Sequence, residues 1–215
     1  MDLSGLMGGT TSNSGSIDVS STDSSGGSVT VIGESVSNAG SINASGATGG
    51  GEVLIGGDYL GGNDALTNSL QSEMSGSITA DAMTNGDGGR VIVWSDGATT
   101  FDGSISAKGG ASGGDGGFVE TSGKSIALSG TVNTSASNGN TGTYLIDPDD
   151  IEINTALSAG GNIAGYSLIT PAWLSGQLDA GNVVITTTDA TNPDTGSGVA
   201  FDGVTTHGGD IAVLS

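Results

Sequence analysis

The sequence predicts an all-β protein, a parallel β-helix of stacked units with one short flanking helix, and three observations carry that reading. A Gly-Ser-Ile motif recurs at Gly15, Gly40, Gly76 and Gly103, with Gly130-Thr-Val as a fifth copy, at separations of 25, 36, 27 and 27 residues. Each of the first four copies is followed by a glycine pair. Each pair leads into a second run of alternating apolar residues. A period this long marks units that stack, because each presents an apolar edge that only its neighbour can bury.

The first strand of each unit places Ile17, Ile42, Ile78, Ile105 and Val132 at one position. Period-two alternation turns them inward, with Val19, Ala44, Ala80, Ala107 and Thr134 beside them. The same alternation turns Asp18, Asn43, Thr79, Ser106 and Asn133 outward as a polar column. In the second strand Val29 and Val31, Val53 and Ile55, Val91 and Val93, Val119 and Thr121, and Tyr144 and Ile146 form the inward set. Ser28, Glu52, Arg90, Phe118 and Thr143 face outward, so Arg90 is predicted to pair with Glu52 on one side and to make a cation–π contact with Phe118 on the other. A third strand ends at Phe101 and at Leu128.

The corners fall at Gly26-Gly27, Gly50-Gly51, Gly88-Gly89 and Gly116-Gly117, where a sharp bend is expected to require positive φ. The longest interval exceeds its neighbours by an excess that falls in 59–73 and reads as an extruded loop. After Leu145 the pattern changes. Thr170 as N-cap, Pro171 at the first helical position and Gly181 at the end predict a short helix over 171–180. Residues 183–188 resume strand character, 189–197 read as a turn-rich loop, and 199–214 as a further rung. Two regions result: 1–155 as regular rungs with the loop at 59–73, and 156–215 as a less regular continuation with the helix.

Charge excludes one class of partner. The chain carries 23 carboxylates against three cationic side chains, Arg90, Lys108 and Lys124, for a formal charge of −20, so it would repel a phosphate backbone. No apolar run approaches the roughly 20 residues of a membrane span, and no basic segment with an apolar stretch follows Met1. The absence of cysteine fits either a reducing compartment or an extracellular protein stabilised by something other than disulfides. The repeat is already under way at residue 15, so the chain reads as part of a longer protein.

Four stretches together resemble a known family: Gly88-Gly-Arg-Val-Ile-Val-Trp-Ser-Asp96, Phe101-Asp-Gly-Ser-Ile-Ser-Ala107, Gly114-Asp-Gly-Gly-Phe-Val-Glu-Thr-Ser-Gly-Lys124 and Tyr144-Leu-Ile-Asp-Pro-Asp-Asp-Ile-Glu-Ile153. They look like the exoproteins of two-partner secretion, the filamentous haemagglutinin-like adhesins, and Leu178-Asp-Ala-Gly-Asn-Val-Val-Ile185 adds to the likeness. The resemblance implies a right-handed β-helical rod, secreted through an outer-membrane partner and displayed on or released from the bacterial cell surface. The family's N-terminal export-recognition segment has no counterpart in this sequence.

Three chemistries are weighed against structural roles. Asp147, Asp149 and Asp150 around Pro148 offer paired carboxylates for glycosidic cleavage, but Asp before Pro in a turn caps backbone amides. Asp87 and Asp115 occupy equivalent corners and are the candidate ligands for Ca²⁺; solvated corner residues are the default, and no cofactor is implied. His207 has no second imidazole to share a metal. The outward column is no threonine array of the kind that orders ice. Asn43-Ala-Ser and Asn133-Thr-Ser match a glycosylation pattern that arises by chance in such a composition.

The expected function is therefore that of a non-enzymatic structural rod segment of a secreted or surface adhesin. Tyr59, Leu66 and Leu70 of the loop are the candidates for contact with a host or neighbouring-cell receptor or glycan. The alternatives are a β-helical carbohydrate-active enzyme, and a filament subunit that self-associates end to end.

Overall fold

The structure, a computed structural model, describes residues 2–4, 9–153, 162–163, 166–187, 198–201 and 211–213. Its strands form two sheets, and nearly all pairing is parallel between successive units. The Gly-Ser-Ile strands Ser16–Asp18, Ser41–Asn43, Ser77–Thr79, Ser104–Ser106 and Thr131–Asn133 lie side by side in sequence order. Their register aligns Ile17, Ile42, Ile78, Ile105 and Val132, all at most 8% exposed.

The second sheet has 15 strands. Its spine runs through Asp2–Ser4, Ser28–Ile32, Glu52–Ile55, Arg90–Phe101, Phe118–Leu128, Thr143–Ile146 and Asn182–Ile185, each parallel to the next. Third strands also form in the earlier units, at Thr10–Asn13, Ser35–Asn38 and Gln71–Met74, and join the same sheet. In the next two units the second and third strands fuse into one long strand, bent by a register shift between Ser95 and Ala98. The inward valines and isoleucines of these strands meet the first-strand isoleucines in one apolar cluster. Burying each such side chain stabilises the fold by about 1.5–3 kcal/mol.

Glycine is needed at the corners for a different reason from the one predicted. None of the paired corner glycines takes a left-handed φ. A Cβ on Gly50 would instead lie 1.9 Å from the carbonyl oxygen of Ala80, and one on Gly116 1.7 Å from that of Thr134. The neighbouring unit's backbone occupies the space where a side chain would go. Close approach between units, not backbone handedness, selects glycine there.

The predicted helix forms at Pro171–Leu178, with the Thr170 hydroxyl accepting from the Trp173 N–H. It seats against the last first-sheet strand, Thr131–Asn133, and stands in for the unit that would come next. Earlier in the stack a serine or threonine N–H donates to the preceding unit's motif glycine, as Thr131 does to Gly103. At Gly130 the donor is the Trp173 indole, 2.9 Å away. The Val132 N–H finds the Gln177 side-chain oxygen at 2.9 Å, and the Thr134 N–H finds the Ala180 carbonyl at 3.0 Å. The helix thus satisfies a sheet edge that would otherwise stay open.

Beyond it, Gly198–Phe201 pairs in parallel with Asp150–Ile153, whereas Ile211–Val213 runs antiparallel to Asn182–Ile185. The chain reverses there instead of repeating the parallel pairing expected of a further rung. The 189–197 loop and His207 lie outside the described residues.

Candidate functional site

The 36-residue unit carries the most distinctive chemistry. Its extra residues fold back on the second sheet as a strap over 56–70, so the loop is not extruded. Gln71–Met74 is a strand and takes the last three residues of the predicted 59–73 loop. The Ser69 N–H donates to the Gly56 carbonyl at 2.6 Å, closing the neck, and Gly56 and Gly61 turn the chain with φ of 76° and 61°. A closed neck on a short surface segment defines an Ω-loop.

The sheet register aligns an outward-facing row of Leu54, Ile92, Glu120 and Leu145, and the strap closes over it at Glu120. All four are buried, Glu120 completely. Sequence reasoning missed this row. The contiguous apolar runs Val53-Leu54-Ile55 and Val91-Ile92-Val93 are its signal, since a strand apolar on both faces is covered on both.

Three contacts hold the strap down. Asp58 pairs with Arg90, which also meets Glu52 at 2.7 Å. The Tyr59 ring packs edge-on against Phe118, with centroids 5.8 Å apart. The Leu60 N–H donates to both carboxylate oxygens of Glu120, at 3.2 and 3.3 Å. The Glu52 pairing of Arg90 follows the expectation. Its second partner is Asp58 rather than an aromatic ring, and Phe118 takes Tyr59 instead, because the strap brings both groups over the column. Trp94 lies under Gly57 and Gly61, where any Cβ would come within 2.7 Å of its ring. Its indole N–H donates to Asp96 at 3.0 Å.

Electrostatics differ sharply across this small area. Burial opposes ionisation of Asp58, but the Tyr59 N–H, the Asn63 amide and the Arg90 guanidinium hold its carboxyl below the usual range. Burial pushes Glu120 up to about 7; the nearby Asp147 carboxylate adds to this, while hydrogen bonds from Ser122 and Leu60 and the charge of Arg90 oppose it.

The predicted contact residues sit on this strap. Tyr59 and Leu70 are about half exposed, at 47% and 53%, and Leu66 is partly buried. The aspartate cluster is divided: Asp147 is 7% exposed with its N–H on the Ser122 hydroxyl at 3.1 Å, while Asp149 lies 3.9 Å from Lys124.

Asp87 and Asp115 are brought together at the corner groove, about 770 Å³ in volume, whose wall also includes Glu52, Arg90 and Phe118. Their carboxylates cap the next unit's backbone. Asp87 accepts the Asp115 N–H at 2.8 Å, and Asp115 accepts the Asn140 N–H at 2.8 Å. The Asn140 hydrogen bonds hold the Asp115 carboxyl below its ordinary range. Among the described residues, no group of three or more histidine, cysteine or acidic side chains is placed to hold a metal ion, and no helix is long and apolar enough to cross a membrane.

Compared with known proteins, the chain matches no protein-family model and no curated sequence.

Proposed function

We propose that this chain is a structural rod segment of a secreted or cell-surface bacterial adhesin, folded as a right-handed parallel β-helix. The observation that carries the reading is the in-register stacking of five units around a continuous aliphatic interior. Such a stack resists bending because each unit is hydrogen-bonded to the next along its length, and a net charge of −20 opposes lateral association of rods. The haemagglutinin-like motifs support the adhesin assignment, with export by an outer-membrane partner. Their residues fall on the units around the strap. Receptor or glycan contact is assigned to the exposed side chains of the strap, Tyr59 and Leu70, with Leu66 behind them. End-to-end self-association is the second reading, favoured by the Ser16–Asp18 edge of the five-stranded sheet, which has no partner strand among the described residues.

Beads coated with the protein test the assignment in a cell-adhesion assay. Leu70→Ser combined with Tyr59→Ser is expected to reduce attachment while leaving the β-type circular dichroism spectrum intact. Attachment unchanged by the double substitution removes the strap from the adhesive role. Turnover of a polysaccharide by the wild-type chain, lost in Asp147→Asn, replaces the rod with the enzyme reading.

A further inference from the structure

We propose that the 56–70 strap is a pH-operated latch, seated while Glu120 holds a proton and loosened when that proton leaves. The inference rests on how the carboxyl is enclosed. Glu120 is fully buried in a row otherwise made of Leu54, Ile92 and Leu145, and the backbone of Leu60 closes directly over it. Leu60 is the one non-glycine among the described residues with positive φ, at 51°. A β-carbon in that region costs about 1–2 kcal/mol, so the contact beneath must hold the turn in place.

The charged groups facing Glu120 decide the sign. Arg90, from the adjacent strand, is the cation within reach, and it is already shared between Glu52 and Asp58. Asp147, following the strand on the other side, adds a like charge. Asp58, on the strap itself, stays ionised on Arg90. An anion at Glu120 keeps the hydrogen bonds from Leu60 and Ser122, but with its cation shared and water excluded these do not offset the cost of burying the charge, which opening the strap relieves by hydration.

The carboxyl's pKa is about 7 with the strap seated, against 4.5 for a free glutamate. A group raised on closure stabilises the closed form fully below the lower value, and that stabilisation is lost as the pH climbs through the upper one. Acid seats the strap; alkali loosens it. Gly56 and Gly61 supply the pivots.

Hydrogen exchange at the Leu60 amide, corrected for the intrinsic pH dependence of exchange, reads the latch, and carbon NMR of the Glu120 carboxyl reads its proton. In the wild-type chain, Leu60 protection is expected to fall by on the order of tenfold or more between about pH 5.5 and about pH 8, tracking the carboxyl's own titration. In Glu120→Gln, which keeps the shape and the acceptor oxygen but cannot ionise, protection should stay flat. Binding of a dye specific for exposed apolar surface should rise with pH in the wild type alone, as the apolar surface around Glu120 is uncovered. A carboxyl midpoint near that of free glutamate, wild-type protection independent of pH, or a Glu120→Gln profile that keeps the wild-type slope overturns the latch. Should Glu120→Gln fail to fold, the wild-type chain decides alone, by whether Leu60 protection declines with pH up to the carboxyl's own midpoint and levels off above it.

Discussion

The outer faces of the two sheets present the same strand geometry to opposite fates. On the five-stranded sheet the outward residues Asp18, Asn43, Thr79, Ser106 and Asn133 stay at least partly in water, and several cap their own corners. Asp18 accepts the Ser20 N–H, Asn43 that of Ser45 and Asn133 that of Ser135. On the larger sheet Leu54, Ile92, Glu120 and Leu145 are buried, and the unit with residues to spare folds back as a strap that closes over this row at Glu120. A stack of identical units has no reason to place leucine and isoleucine outward. Their presence is the trace of a cover, and the cover converts one exposed face into a second, smaller core.

The most severe test of that contrast is to truncate one residue on each face. Ile92→Ala should destabilise the chain by about 2–5 kcal/mol, as for an aliphatic side chain removed from an ordinary core. Thr79→Ala, on the bare face, should stay within about 0.5 kcal/mol. Chemical denaturation followed by circular dichroism measures both. Equal, small losses would mean that the strap gives Ile92 no real burial.

Most of the stack is legible in the sequence, because period-two alternation repeated at a fixed interval specifies both the inward face and the neighbour. The five isoleucine and valine positions, the Arg90–Glu52 pair and the Thr170-Pro171 helix start all follow from local rules. What is not legible depends on contacts between segments with no shared period. Glu120 lies within the Gly114–Lys124 stretch that carries the family resemblance, yet nothing in its flanks says that Leu60, sixty residues earlier, will cover it. The edge role of Trp173 and Gln177 is hidden in the same way, since a helix pattern shows a stripe but not the backbone groups that stripe will meet. The corner glycines are legible as positions but not in their cause, because composition cannot separate a left-handed turn from a close approach.

The helix extends the comparison from a covered face to a covered edge. Gln177→Ala leaves the Val132 N–H buried without its acceptor, which should cost about 1–3 kcal/mol. Trp173→Phe removes only the indole donor to Gly130 and should cost about 0.5–1.5 kcal/mol. Amide exchange at Val132 distinguishes the two, rising in the glutamine variant. If Val132 stays equally protected in both, another group closes the edge.

A smaller effect is expected where the strap is pinned at its rim. Asp58→Asn removes the charge that Arg90 shares with Glu52 while keeping much of the side chain's shape. The Arg90 side chain is 34% exposed, so solvent screening limits the loss to about 1 kcal/mol or less. The local readout should be larger than the global one, with Leu60 exchanging faster at every pH while the melting temperature barely moves. A large drop in global stability would show that the strap is part of the cooperative core rather than a cover laid upon it.

The smallest effect is expected at the corners. Asp87 and Asp115 already spend carboxylate oxygens on backbone N–H groups of the following unit, and this work needs no cation. A ligand that binds only the folded chain contributes RT ln(1 + [L]/Kd) to its stability, so removing it would lower the melting temperature. Adding a chelator should leave the melting temperature unchanged. Asp115→Asn, which retains an acceptor oxygen for the Asn140 N–H, should come close to wild type, whereas Asp115→Ala loses that hydrogen bond and should fall measurably below the asparagine variant. A melting temperature that drops with chelator and returns with Ca²⁺, but not at matched ionic strength, would turn this corner into a metal site and make the groove, rather than the strap, the first place to look for a ligand.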